Sequence, residues 1–184
     1  MILKVEKLRK EYIKGGLFSK EKREVLKGIS FEVKRGEIFS IIGQSGVGKS
    51  TIGKIILGIE KESSGKIIFL DKNLEEREKR DIQMIFQDPY SSLNPAMKIK
   101  DILAEPLKAN GEKDKKIISR MVKDILREVG LEEEVGNRYP NELSGGQRQR
   151  VVIGCAMILK PKLVVCDEPV ASLDLAVQNR YWNL

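Results

Sequence analysis

The first residues able to do chemistry are consecutive. Gly43-Gln44-Ser45-Gly46-Val47-Gly48-Lys49-Ser50-Thr51 fits a pattern of glycine, four free positions, then Gly-Lys and a hydroxyl residue. Glycines let successive backbone N–H groups turn toward one concave point, and a helix opening there adds its positive dipole end. Lys49 supplies a cation that can reach β- and γ-phosphates, and the Ser50 hydroxyl can ligate Mg²⁺. A glycine turn before a helix would account for the glycines, but not for the lysine and hydroxyl at these offsets. From average residue usage, the whole pattern arises by chance on the order of once in a hundred chains of this length. The chemistry it implies is the binding of a nucleotide's phosphates.

A second constellation lies far along the chain. Leu163-Val164-Val165-Cys166 is an apolar run ending in Asp167-Glu168. In a parallel sheet, ligands collect at the carboxyl ends of strands, where these acids fall. Asp167 can hold Mg²⁺ directly or through water, and Glu168 can orient or deprotonate a water attacking the γ-phosphate. Acids also end ordinary core strands at a surface turn; the complete phosphate loop tips the reading toward catalysis. Third, Leu143-Ser144-Gly145-Gly146-Gln147 reads as a capped helix start whose first-turn N–H groups form another anion site.

These residues need elements to hold them. Residues 3–7 and 30–34 read as short strands, separated by a polar, glycine-containing loop from Lys14 to Arg23. Ile38-Phe39-Ser40-Ile41-Ile42 is a nearly continuous apolar run, expected to be a parallel strand covered on both faces and feeding the phosphate loop. A helix is expected from Lys49 to about Leu57, and further strands over 67–70 and 82–86. Residues 98–135 carry apolar side chains at helical spacing, 146–159 read as another helix, and 163–166 as a last buried strand. The layout is α/β: a parallel core interrupted by a helical insert.

Composition narrows the class. A 41% hydrophobic and 33% charged chain of 184 residues suits one solvated globular domain with a sizeable core. No apolar run approaches the ~20 residues that span a bilayer, and the start lacks a signal-peptide layout, so any membrane role runs through a partner. The net charge of +7 is carried by cations interleaved with acids, as over residues 75–80, which reads as a solvated surface rather than a nucleic-acid face. Cys155 and Cys166 sit in apolar stretches at a spacing that fits neither zinc nor a disulfide framework, and are expected to be reduced core residues of a cytoplasmic protein.

The pentapeptide at 143–147 matches the signature of one family, and together with the phosphate loop and paired acids the chain resembles an ABC-transporter nucleotide-binding subunit from residue 1 to about 178. That resemblance implies a P-loop NTPase core with a mostly parallel sheet, an N-terminal antiparallel β part and an inserted α-helical subdomain. It places the core at 1–87 and 155–184 and the helical subdomain at 88–154, within one domain spanning 1–184. It also implies ATP and Mg²⁺ as ligands. Tyr12 falls where the family stacks an aromatic on adenine. Gln87 matches the glutamine that senses the γ-phosphate and Mg²⁺, making it a metal ligand and a catalytic residue beside Lys49 and Glu168. Ser144, Gly145, Gly146 and Gln147 would address the nucleotide of an opposing subunit, and Asp174, in Ser172-Leu173-Asp174, would cross the dimer interface.

The runs Phe86-Gln87-Asp88-Pro89-Tyr90-Ser91-Ser92-Leu93-Asn94-Pro95 and Arg138 to Arg150 resemble the second ATPase subunit of oligopeptide, dipeptide or nickel importers, as does Gly15-Gly16-Leu17-Phe18. The implied function is ATP hydrolysis that energises import, at the cytoplasmic face of a membrane. The implied partners are transmembrane permease subunits and a second cassette, identical or not, paired head to tail. The family pattern continues past the Ser172-Leu173-Asp174 segment through a helix, a strand and a histidine, whereas this sequence stops at Leu184 and contains no histidine. C-terminal strands are therefore expected to be missing, with nucleotide binding retained and turnover severely reduced. Two alternatives stand beside the importer ATPase. One is a truncated, non-catalytic nucleotide-binding fragment or regulatory subunit. The other is a soluble ABC ATPase of DNA repair or translation, disfavoured because there is a single cassette and no sustained heptad pattern.

Overall fold

The computed structural model describes residues 1–14, 21–85 and 92–167. The chain divides into two compact units, Met1–Glu78 and Lys79–Leu184.

The first unit is built on an antiparallel sheet of order β2-β1-β3-β4, formed by β1 (Leu3–Lys14), β2 (Glu21–Val33), β3 (Ser64–Phe69) and β4 (Lys72–Asn73). Leu3 and Val5 alternate inward, opposite Val33 and Phe31 on one side and Phe69 and Ile67 on the other. Strict alternation would next bury Lys7. A bulge instead puts Lys7 at φ 47 and turns Leu8 into the core, where it is fully buried. Gly65 makes this possible: a Cβ there would lie 2.7 Å from Leu8 Cα and from the Lys7 carbonyl oxygen. The β1–β2 hairpin is longer than the sequence suggested, because Lys22 and Arg23, expected in a loop, pair with Ile13 and Tyr12. The Gly15-Gly16-Leu17-Phe18 resemblance lies outside the described residues.

Helix α1 (Lys49–Ile56) buries Ile52, Gly53, Ile55 and Ile56 on one stripe. The expected strand at 38–42 is a correction. No strand is assigned there, and Ile38, Phe39, Ile41 and Ile42 are 60%, 42%, 40% and 94% exposed. An apolar run becomes a strand only when a neighbouring backbone pairs its N–H and C=O groups, and no described segment pairs with this one. Within it the Phe39 ring stacks on Phe31 with centroids 5.0 Å apart.

The second unit holds a parallel pair, β5 (Ile82–Ile85) and β6 (Leu163–Cys166), in register from Ile82↔Leu163 to Ile85↔Cys166. Between them come α2 (Ile99–Ala109), α3 (Lys115–Glu128) and α4 (Gly145–Met157). Their apolar faces form one core with Ile99, Leu103, Leu126, Val151 and Ile153 almost wholly buried, each such side chain contributing roughly 1.5–3 kcal/mol. Asp114 caps α3 by accepting from the N–H groups of Lys116 and Ile117. At the entrance to the strands, the Lys162 ammonium lies 3.0 Å from a carboxylate oxygen of Asp81, while the Lys162 N–H donates to the Asp81 carbonyl. The mixed α/β class thus holds, with the antiparallel N-terminal sheet and helical segment in place; its parallel part among the described residues is the β5–β6 pair.

β6 differs from the expected buried strand. Leu163, Val164 and Val165 are half-buried and Cys166 is exposed, because among the described residues the strand has β5 as its one neighbour. Cys155 does belong to the core, half-buried against it, and burial pushes its thiol up to about 12. Both cysteines are free thiols.

Candidate functional site

The phosphate loop closes onto the sheet through one glycine. Gly48 caps the N-terminus of α1 at φ 102, ψ 12, a conformation L side chains rarely adopt. A Cβ there would meet Leu26 Cδ2 at 2.7 Å and Val25 Cγ1 at 2.9 Å, so the end of the loop rests directly on β2. The Lys49 ammonium folds back across the loop and donates to the carbonyls of Gly43 and Gln44, at 2.7 and 2.8 Å. Its positive charge is thereby held on the loop itself, against the backbone at its start. The first turn of α1 contains no acid, so its dipole end and the lysine add without opposition. This is the chemistry of a polyphosphate site: a glycine-turned loop whose Gly48 has no room for a Cβ against β2, a helix opening, one cation and the adjacent hydroxyls of Ser50 and Thr51.

The far end of α1 is held as firmly. The N–H groups of Ile59 and Glu60 both donate to the Lys54 carbonyl, and the Arg77 guanidinium donates to the carbonyls of Leu57 and Leu74. Burial lowers the pKa of Arg77 from its ordinary value. Glu60, set in place by this turn, accepts the hydroxyl of Tyr12 on β1, which also faces Thr51. The Glu60 hydrogen bond and burial together raise the Tyr12 phenol above its usual pKa. The Lys10 ammonium lies 5.0 Å from the centroid of the Tyr12 ring and 3.7 Å from Glu60, and Lys54 comes to 3.8 Å from the same carboxylate. Tyr12 is thus half-buried, with its hydroxyl fastened and a cation over the ring.

The other expected residues lie in the second unit. Ser144 caps α4: its hydroxyl accepts from the Gln147 N–H at 3.3 Å, and the Gln147 side chain accepts from the Ser144 N–H at 3.0 Å. Arg148 buttresses the cap by donating to the Leu143 carbonyl at 2.9 and 3.1 Å. Gly146 is exposed, with nothing within 4 Å of where a Cβ would sit, so the first turn opens to approach. Asp167 follows β6 directly, its N–H donating to the Ile85 carbonyl at 3.1 Å. Gln87, Glu168 and Asp174 lie outside the described residues.

The structure therefore brings together Tyr12 and the loop from Gly43 to Thr51, and it presents Ser144–Gln147 and Asp167 on their own elements. Sequence reasoning missed Glu60, Lys10, Lys54 and Arg77. The turn after α1 was legible from Gly58, but no local pattern shows that Glu60 would meet a tyrosine 48 positions earlier.

Comparison with known proteins agrees with this geometry. The family model described as ABC transporter matches residues 26–171. The oligopeptide transport ATP-binding protein OppF of Haemophilus influenzae is 42% identical over 169 residues, covering 88% of this chain and 51% of the relative. OppF of Salmonella typhimurium is 46% identical over 165 residues (85% and 49%), and the dipeptide transport ATP-binding protein DppF of Haemophilus influenzae 40% over 186 (96% and 57%). The chain spans about half the length of the curated relatives it matches. Among solved structures, the dimeric post-hydrolysis state of the ATP-binding cassette MJ0796 bound to ADP and Pi superposes with a TM-score of 0.82 at 30% identity, covering 97% of this chain and 79% of that one. On the family match and these relatives together, the chain belongs to the ABC transporter family.

Proposed function

We infer that this chain binds Mg·ATP through the loop from Gly43 to Thr51 and works as an ATP-hydrolysing subunit of an importer for oligopeptides or dipeptides. The observation that carries the reading is the loop itself: Gly48 locked against Val25 and Leu26, with the Lys49 ammonium held on the carbonyls of Gly43 and Gln44. The peptide class rests on the OppF and DppF relatives. Tyr12 stacks on the adenine. Lys49 neutralises the β- and γ-phosphates. Ser50, Gln87 and Asp167 hold Mg²⁺, which supplies charge neutralisation on the phosphates, and Glu168 orients the attacking water.

Ser144–Gln147 address the nucleotide of a second cassette paired head to tail, and Asp174 crosses to it; the dimeric MJ0796 cassette bound to ADP and Pi is a precedent for pairing. Permease subunits carry the membrane role, which places the chain at the cytoplasmic face; among the described residues, no helix is long and apolar enough to cross a membrane. Within the single domain, residues 1–87 and 155–184 form the nucleotide core, and 88–154 the helical subdomain that meets the permease.

Thermal unfolding with and without Mg·ATP tests nucleotide binding. At about a hundred times its dissociation constant the ligand adds roughly 2.7 kcal/mol, moving the midpoint up by roughly 5–11 °C. Lys49→Ala should abolish that shift. A cooperative transition that Mg·ATP does not move would overturn the reading.

A further inference from the structure

The cluster around Tyr12 does something the phosphate loop does not require. A tyrosine used as a flat stacking surface needs its ring held at one angle, yet a phenol on a strand is free to swing about χ1 and χ2 unless something grips its far end. Here the far end is gripped. The Tyr12 hydroxyl donates to Glu60, and Glu60 is fixed from three directions. Its backbone N–H donates to the Lys54 carbonyl at the close of α1. The next turn is tied to β1: Lys10 Nζ donates to the Lys61 carbonyl at 2.5 Å, the Ser63 N–H to the Arg9 carbonyl at 2.9 Å, and the Glu11 N–H to the Ser63 hydroxyl at 2.9 Å. Its carboxylate lies between Lys10 and Lys54, at 3.7 and 3.8 Å, with 21% of the side chain exposed. The Lys10 ammonium also covers the Tyr12 ring. The Tyr12 hydroxyl faces Thr51, so the grip reaches the same helix that closes the phosphate loop.

We propose that Glu60 is a positioning residue for nucleotide-base recognition: it fastens the Tyr12 ring in a stacking pose and ties that pose to α1, so the chain selects nucleoside triphosphates over bare polyphosphate. This rests on the reading that the loop binds ATP with Tyr12 against the base, and it adds the residue that makes Tyr12 rigid. Preorganisation is its physical content, since a ring already held in place loses no rotamer freedom when the base lands on it.

Two ligands separate this role from mere structural support. Mg·ATP carries a base, and Mg·tripolyphosphate presents the same charges to the loop without one. For the 184-residue chain, calorimetric titration should show Glu60→Ala and Tyr12→Phe each weakening Mg·ATP about three- to tenfold, the range one positioning hydrogen bond supports, with Mg·tripolyphosphate unchanged within about twofold. Glu60→Gln keeps an acceptor for the phenol and should restore most of the ATP affinity. The double variant Tyr12→Phe/Glu60→Ala should be no weaker than either single one, because both remove the same bond.

Equal weakening of both ligands by Glu60→Ala would overturn the proposal, showing that the residue acts through the loop or the fold. So would additive losses in the double variant, or wild-type ATP affinity in Glu60→Ala. Tyr12→Ala distinguishes failure of the underlying reading. If that variant binds Mg·ATP like the wild type, Tyr12 does not meet the base, and the role of Glu60 falls with it. If Tyr12→Ala loses affinity while Glu60→Ala does not, stacking stands and the positioning role alone is refuted.

Discussion

Gly48→Ala tests whether the phosphate loop is held by packing or merely by its own backbone preference. The residue sits at φ 102, where an L side chain costs about 1–2 kcal/mol through its clash with the backbone. The new methyl would also lie 2.7 Å from Leu26 Cδ2 and 2.9 Å from Val25 Cγ1. Leu26 is fully buried and cannot swing away into solvent, so overpacking of about 1–3 kcal/mol adds to the backbone cost. Together they come to about 2–5 kcal/mol. Gly46→Ala is the control, because Gly46 shares the positive φ of +80 but has nothing within 4 Å of its would-be Cβ. It should lose the backbone term alone. Thermal unfolding followed by circular dichroism should therefore put Gly48→Ala below Gly46→Ala by about 2–12 °C, at roughly 2–4 °C per kcal/mol for a chain of this size. A third variant isolates the Leu26 contact: in a Leu26→Ala background the closer of the two clashes is gone, with Val25 Cγ1 still at 2.9 Å, so Gly48→Ala should cost less there than in the wild type. Equal midpoints for the two glycine variants, or an undiminished cost in the Leu26→Ala background, would refute the claim that β2 holds the loop.

Two further outcomes follow from side chains outside the loop. Ile42 is 94% exposed, so Ile42→Ser should change stability by less than about 0.5 kcal/mol in chemical denaturation, whereas a loss of several kcal/mol would show that the run at 38–42 is a buried strand after all. Lys162→Met leaves the Asp81 carboxylate, 12% exposed, without its cation; with Lys162 itself 49% exposed and therefore screened, the cost should be about 1–2 kcal/mol, and Asp81→Asn in the same background should recover part of it.

What could be read in the sequence was what is local. The phosphate loop and the Ser144–Gln147 capping box each act through backbone groups within a few residues of one another, so residue types at fixed offsets carried their geometry. Helices α2, α3 and α4 were legible because a buried stripe at helical spacing leaves its mark on every turn. Strands were another matter. The bulge that buries Leu8 in place of Lys7 depends on Gly65, far along the chain and on a different strand. The apolar run at 38–42 has the composition of a buried strand, but composition says nothing about which backbone would pair with it. Cys166 failed for the same reason: its neighbours in sequence are apolar, while its exposure is decided by how many strands flank β6.

Helix α1 joins the two halves of the proposed nucleotide site. It is eight residues long, about 12 Å at 1.5 Å per residue. Its N-terminus is fixed by Gly48 on β2 and its C-terminus by Glu60 and Arg77, and Thr51 and Lys54 along its length face the Tyr12–Glu60 pair. On the proposed reading, a ligand with both triphosphate and base meets the loop at the start of this helix and the Tyr12 ring of β1 that is fastened to it. The cost of fixing their separation is met on folding rather than on binding, so phosphate and base contacts reinforce each other. A ligand lacking the base gains the loop contacts and nothing from the Tyr12 surface. Under the proposed role of Tyr12, discrimination between a nucleotide and a bare anion is therefore set by the base contact, and the rigid helix between the two contacts lets that contact count in full.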